Sequence, residues 1–292
     1  MLLSGVRAPR IIARVIRLPD YHVHTFRCGH AGGASGDFVR RAIDLGLLEM
    51  AFTDHIPLYF LPPEERDPRL AMREDQFEEY LAEVRGLQEE FAGQIPIRLG
   101  LEADYAEGRE RELERWLDRA DWDLVLGSVH WVAGGWIDAP GSAARFEREG
   151  TEVLYREYYR LLAKAARSGL FDVLTHFDLP KKHGHRPREP ITDAEDAAIA
   201  AAREGGCAVE ISSAGLRKPV GEPYPERELL RRLAGAGVPV TFSSDAHAPA
   251  EVGWGYDRTL AHARAAGVRE FVTLERRRKI RHPLPPEDSS AA

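Results

Sequence analysis

Short apolar runs alternate along this chain with longer amphipathic stretches. The first run, Leu18 to Thr25, reads as a strand and is followed by a Gly-rich loop from Arg27 to Gly36. Asp37 to Leu45 carries Phe38, Ala42 and Leu45 on one helical face, and Gly46 ends it. Leu48 to Thr53 is a second strand, and a loop punctuated by Pro57, Pro62, Pro63 and Pro68 follows. Further strands are predicted at Ile95–Leu101, Trp122–Val129, Phe171–Thr175, Cys207–Ser212 and Val238–Ser243, with a short last one at Glu270–Leu274. Helices are predicted at Arg73–Phe91, Glu110–Ala120, Thr151–Ser168, Asp193–Glu204, Glu226–Ala236 and Tyr256–Ala266. Strand and helix alternate about seven times, with no linker long enough to split the chain. The expected fold is a single α/β domain, a parallel sheet with helices outside it. Closed into a TIM-like barrel, its strand ends would meet at one mouth.

Composition narrows this little. The 292 residues are 43% hydrophobic and 30% charged, as in a soluble globular protein. A net charge of −7 argues against a general nucleic-acid binder, and no apolar run reaches membrane-spanning length. Two cysteines, Cys28 and Cys207, make no disulfide framework and suit a reducing compartment, so a cytoplasmic location is expected. Residues 1–18 form a basic extension with Arg7, Arg10, Arg14 and Arg17 and no acidic residue. That composition fits a transit peptide, but a poorly ordered extension or an early start codon is the preferred reading. Residues 19–275 are the expected barrel, and 276–292 a solvated tail, basic and then low in complexity.

The chemistry gathers at the strand ends. Asp20-Tyr21-His22-Val23-His24 has the pattern D-x-H-x-H, which on a strand would project both imidazoles from one face with Asp20 below them. His30 lies just beyond this strand, and Asp54, His55, Glu102, His130, His176, Asp178, Asp245 and His247 stand just after or at the ends of other predicted strands. Seven of the eleven histidines are in this set. Any one of them alone could be a packed core histidine or a cap; the joint pattern is what points to a site. Imidazole and carboxylate without thiolate select Zn, Fe or Mn. Seven imidazoles and two carboxylates exceed what one ion takes, so two or three ions are expected. No G-x-G-x-x-G or G-x-x-x-x-G-K-[ST] motif follows a strand, so a dinucleotide or P-loop site has no support. Cys28 reads as a packed turn residue rather than a nucleophile.

The motifs D-Y-H-V-H-T, C-G-H-A, F-T-D-H, G-L-E-A-D, G-S-V-H, T-H-F-D-L-P-K-K-H-G-H-R, S-A-G-L-R-K-P and S-S-D-A-H resemble those of the PHP (polymerase and histidinol phosphatase) family. Within it, C-G-H-A, L-P-K-K and A-G-L-R-K-P are similar to the histidinol-phosphate phosphatase branch. The resemblance runs from about Pro19 to about Leu274. It implies a distorted barrel of seven strands and a trinuclear centre. His22, His24, Glu102 and Asp245 would hold one ion. Glu102, His130 and His176 would hold a second, and His30, His55 and His247 a third. It implies hydrolysis of L-histidinol phosphate, a small phosphate ester, within histidine synthesis. Asp54 or Asp178 would position the proton donor to the leaving alcohol, and Asp20 would orient a ligating imidazole. Lys182, Arg186 and Arg217, in the basic stretches after two strands, are the expected phosphate contacts. Two other readings stay open: a phosphoesterase acting on nucleotides or nucleic-acid ends, and a metal-binding module without turnover. The acidic total opposes the first and the complete ligand set the second. Nothing in the sequence indicates an oligomeric state.

Overall fold

The computed structural model describes residues 16–286. Most of the Arg-rich extension and the last residues of the tail therefore lie outside the described residues. In chain order the elements are α1 (Ser35–Leu45), β1 (Met50–Phe52), α2 (Phe77–Glu90), β2 (Ile97–Asp104), α3 (Glu110–Leu117) and β3 (Leu124–Ser128). A small hairpin, β4 (Trp131–Val132) and β5 (Gly135–Trp136), precedes α4 (Ala143–Glu149), α5 (Thr151–Arg167) and β6 (Val173–Leu174). Then come α6 (Thr192–Glu204), β7 (Ala208–Ser212), α7 (Arg227–Gly235), β8 (Val240–Ser243) and α8 (Tyr256–Ala265). The hairpin of β9 (Glu270–Glu275) and β10 (Arg278–Pro283) follows.

Six strands form one curled parallel sheet in the order β1-β2-β3-β6-β7-β8. The predicted first strand is an extended segment that bonds to both edges of this sheet. On one side Asp20 N–H donates to Glu49 O (3.0 Å) and Thr53 N–H to Val23 O (2.9 Å). On the other, Tyr21 N–H donates to Phe242 O (3.3 Å) and His24 N–H to Ala246 O (2.9 Å). Six strands and this segment make the distorted, TIM-like barrel. The segment is not a regular strand because its alternation breaks. Tyr21 packs inward with Ala51, Leu124 and Leu126, and His22, the next residue, also faces inward to Glu102.

The inner face changes character along the barrel axis. At one end Leu124, Leu126, Val173 and Ala208 pack with Tyr21 and with Val272 and Leu274 of β9. Further on, Ser128 on β3 and Glu210 on β7 continue these inner rows, and Glu102 on the neighbouring β2 faces the same interior. Gly100 sits at this boundary: a Cβ there would lie 2.6 Å from Thr53 Cγ2 and 3.2 Å from Leu124 Cδ2. Strand positions facing outward, such as Val125 and Ile211, join the main core. Helix α5 buries Leu154, Tyr158, Leu161, Leu162 and Ala165 at helical spacing, the inward stripe expected of a barrel helix.

The basic stretch after Glu275 was expected to be tail, but residues 278–283 form β10, paired antiparallel with β9 from Arg278 opposite Glu275 to Pro283 opposite Glu270. Its residues are mostly exposed, so no apolar period marks the strand in the sequence. The β4–β5 hairpin and α4 lie between the predicted strand Trp122–Val129 and the predicted helix Thr151–Ser168, where no regular element is predicted. The hairpin pairs just two residues on each side.

Tyr21 ties the barrel floor to β9. Its hydroxyl donates to Glu49 and accepts from Leu274 N–H (2.7 Å), and the residue is fully buried. Burial and the Glu49 carboxylate push this phenol well above its ordinary pKa, so it stays a donor. Tyr21→Phe is expected to leave Leu274 N–H unpaired and to cost about 1–3 kcal/mol. A urea titration checks this: the midpoint should fall at unchanged slope, and an unmoved midpoint would remove Tyr21 as the link.

Candidate metal centre

The nine expected ligands come together at the end of the barrel where β1, β2, β3, β6 and β8 terminate. Glu102, on β2 and 1% exposed, lies at the middle. Its Oε2 is 2.9 Å from His22 Nε2, 3.4 Å from His24 Nε2 and 2.9 Å from His55 Nδ1. Its Oε1 is 3.3 Å from His176 Nε2 and 3.6 Å from His130 Nε2. Asp245 Oδ1 closes the first group, 3.3 Å from His24 Nε2 and 3.7 Å from His22 Nε2. His130 and His176 bring their Nε2 atoms to 3.2 Å. The remaining rings stack: His24 on His247 at 4.3 Å, His24 on His55 at 4.5 Å and His30 on His247 at 4.6 Å between centroids.

These atoms approach closely without satisfying one another. His22 Nε2, both nitrogens of His24, Glu102 Oε2 and His247 Nε2 are buried and have no hydrogen-bond partner. Buried polar atoms are normally paired, and lone pairs converging on one point are what a cation satisfies. Among the described residues, five groups of three side chains bring donor atoms within 4.8 Å of one another, and His22, His24 and Glu102 form one of them. The donor set therefore fits divalent ions.

Charge in the cluster is strongly divided. Burial opposes ionisation of Glu102, but the imidazoles of His22 and His55 hold its carboxyl well below the usual range. Burial would lower His22, yet Glu102, Glu210 and Asp245 raise it well above its ordinary value. His24 goes the other way: burial, then the neighbouring His247 and His55, keep it well below. Burial drives His247 down to about 4 against the pull of Asp245, with His30 and His55 adding to the fall. Burial and mutual repulsion thus hold His24, His30 and His247 toward the neutral form that can ligate a cation, whereas Glu102 raises His55 against its burial.

Two carboxylates that the sequence reading passed over fix ring orientation. His22 Nδ1 meets Glu210 Oε2 at 3.0 Å, and His130 Nδ1 meets Asp104 Oδ1 at 2.9 Å. Each directs the ring's other nitrogen into the cluster. Asp104, with Asp138, raises His130 to about 10 against burial. Both were readable: Asp104 is two residues beyond Glu102 on the same strand face, and Glu210 is a lone charge within the otherwise uncharged run Cys207–Ser212. Asp20 does not have the role expected of it. Its carboxylate accepts from Ser244 N–H (2.8 Å), Ser244 Oγ–H (2.6 Å) and Gly253 N–H (3.0 Å), holding the loop after β8 rather than an imidazole. The break in alternation turns it away from the His22 side.

The other expected residues are distributed unevenly. Asp54 lies behind His24, 3.7 Å from Nδ1, and accepts from both the N–H and the hydroxyl of Thr25. Burial lifts its carboxyl to about 7. Asp178 is buried with Oδ2 held by Lys181 Nζ (2.8 Å) and Glu226 N–H (2.8 Å), while Oδ1 has no partner. Lys182 is bound to Asp138 (2.9 Å), and Arg186 to Glu222 and Glu226. Arg217 donates through Nη2 to the carbonyls of Ser244 (2.9 Å) and Asp245 (3.0 Å), and its Nη1 is buried and unpartnered. His176 and Asp245 have positive φ, 22° and 52°. Side chains held there cost on the order of 1–3 kcal/mol each, a strain that clusters at functional sites.

Fold and site together define a TIM-like α/β barrel with a carboxylate-bridged cluster of imidazoles at its mouth. The sequence model of the PHP domain matches residues 20–214, and the chain belongs to that family. It is 42% identical over 261 residues to a probable histidinol-phosphatase of Deinococcus radiodurans, covering 89% of this chain and 98% of that one. It is 28% identical over 274 residues to the histidinol-phosphatase of Bacillus subtilis, covering 82% of this chain and 97% of that one. In structure it is similar to the histidinol phosphate phosphatase of Lactococcus lactis, solved with Zn, L-histidinol and phosphate. The TM-score is 0.77 at 22% identity, over 91% of this chain and 99% of that one. No helix among the described residues is long and apolar enough to cross a membrane.

Asp104→Asn should weaken metal binding about 10–100-fold by loosening the His130 ring. Competition with a chelator measures this, and unchanged affinity would show that the carboxylate gives the ligand no support.

Proposed function

We propose that this chain is a metal-dependent phosphomonoesterase that hydrolyses L-histidinol phosphate to L-histidinol and phosphate. The observation that carries the reading is Glu102, whose two oxygens face separate sets of imidazoles in a chain closely related to histidinol-phosphatases. His22, His24, Glu102 and Asp245 would hold one ion, Glu102, His130 and His176 a second, and His30, His55 and His247 a third. Two to three divalent ions (Zn, Fe or Mn) bound there supply positive charge against the phosphate dianion and acidify a water toward a pKa of ~7.

The chain's own residues do the rest. Glu210 and Asp104 keep His22 and His130 in the tautomers that offer Nε2 inward. Arg217 is the cation best suited to a phosphate oxygen, because Nη1 lacks a partner while Nη2 is anchored on carbonyls beside Asp245. Lys182 and Arg186 would first have to leave Asp138 and the Glu222–Glu226 pair. Asp54 is the better placed of the two candidate proton-positioning carboxyls, lying against His24. Both cysteines are unpaired, which suits a reducing compartment such as the cytoplasm.

Phosphate release from a panel of esters tests the substrate. Metal-loaded protein should turn over histidinol phosphate far faster than nucleotides or nucleic-acid ends; equal or reversed preference would overturn the assignment. His130→Ala should cut turnover by orders of magnitude while circular dichroism stays native, and an undiminished rate would remove the second ion from the chemistry.

A further inference from the structure

One sulfur donor at the mouth stands outside the three proposed ligand sets. Cys28 is fully buried at the end of the single turn Phe26–Cys28. Its Sγ and one nitrogen each of His30 and His247 lie within 4.8 Å of one another. The same sulfur forms a second such trio with His24 and Asp54. His24 is itself fully buried, and neither of its ring nitrogens has a partner. The sulfur thus sits among imidazoles of which His24 lacks a partner on both nitrogens and His247 lacks one on Nε2.

The local chain holds it there. Cys28 N–H donates to Thr25 O (3.2 Å), and Gly29 turns back with φ 84°. A Cβ at Gly29 would fall 2.2 Å from Pro68 O, so the turn is clamped against the loop before α2. His30 Nδ1 faces the carbonyls of Cys28 (2.9 Å) and Arg69 (3.0 Å), and His247 Nδ1 faces that of Asp245 (3.0 Å). Each Nδ1 therefore carries the proton, leaving each Nε2 as the lone-pair nitrogen. Cys207 makes the contrast. It too is buried, but its Sγ faces the carbonyls of Phe171 (3.4 Å) and Ala166 (3.7 Å), the setting of an ordinary packed thiol.

We propose that Cys28 Sγ, as a thiolate, is a further ligand of the ion held by His30, His55 and His247. This rests on the metal-dependent reading above. On binding, a sulfur–metal bond forms and the thiol proton leaves to solvent, since a coordinating thiol is deprotonated outright by the cation. A soft thiolate beside three imidazoles makes this position favour zinc or iron over manganese.

Cobalt(II) loading of the full chain reads the bond directly. Cobalt on nitrogen and oxygen ligands gives visible bands; a thiolate ligand adds a charge-transfer band in the near ultraviolet. Wild type and Cys207→Ser should both show that band, and Cys28→Ser should lose it while keeping visible bands. Because Cys207→Ser retains Cys28 as its one thiol, it decides the matter even if Cys28→Ser does not fold. Visible bands without the near-ultraviolet band in Cys207→Ser would overturn the sulfur ligand and leave the metal centre standing. So would a band that persists in Cys28→Ser. Failure to bind cobalt at all would overturn both.

Discussion

A carboxylate almost sealed from solvent, Glu102, faces imidazoles on both of its oxygens, and much of the mouth is arranged around that fact. Burying so many polar atoms in one place is costly unless each is matched. Here several are not matched by protein, and the imbalance lies at the centre rather than the edge. Carboxylates behind the rings, Glu210 and Asp104, use up the outer nitrogens of His22 and His130. What remains unpaired is directed inward. The strained backbone at His176 and Asp245 fits the same account, since both residues place side-chain atoms close to Glu102 or His24.

The barrel makes this possible by separating two jobs along one set of strands. Leu124 and Leu126 on β3 and Ala208 on β7 fill the floor with Val272 and Leu274 from the terminal hairpin. Continuing outward in steps of two, the same rows become Ser128 and Glu210. An apolar floor gives the strands a core to close around, and the polar rows above it need not contribute to that packing. The β9–β10 hairpin thus belongs to the barrel's construction although it lies outside the main sheet.

Much of this was legible in the chain. Strand and helix alternation indicated the barrel, and ligand-type residues at strand ends indicated the mouth, because a parallel barrel leaves little choice about where strand ends go. Glu102 and Asp245 were visible as lone acids closing apolar runs. Less legible were contacts set by tertiary pairing. β10 has no apolar face, so only its partner β9 defines it. Nothing local says that Lys182 and Arg186 are engaged by Asp138, Glu222 and Glu226, whereas Arg217 keeps a free Nη1. Glu210 and Asp104 could have been read, since a charge inside a buried strand needs a partner, but their partners lie on other strands.

The first segment shows why a correct motif can carry an incorrect detail. D-x-H-x-H on an ideal strand puts all three side chains on one face. This segment must instead bond to β1 on one side and to the end of β8 on the other, close the floor with Tyr21, and still deliver His22 and His24 to Glu102. Strict alternation cannot satisfy all of these, because Tyr21 and His22 are neighbours and both are needed inside. The backbone gives way between them, and Asp20 falls on the far side. There it gathers Ser244 and Gly253, fixing the loop that presents Asp245 and His247. Asp20 therefore still serves the centre, by holding the loop that carries two of its proposed ligands rather than by orienting a ring.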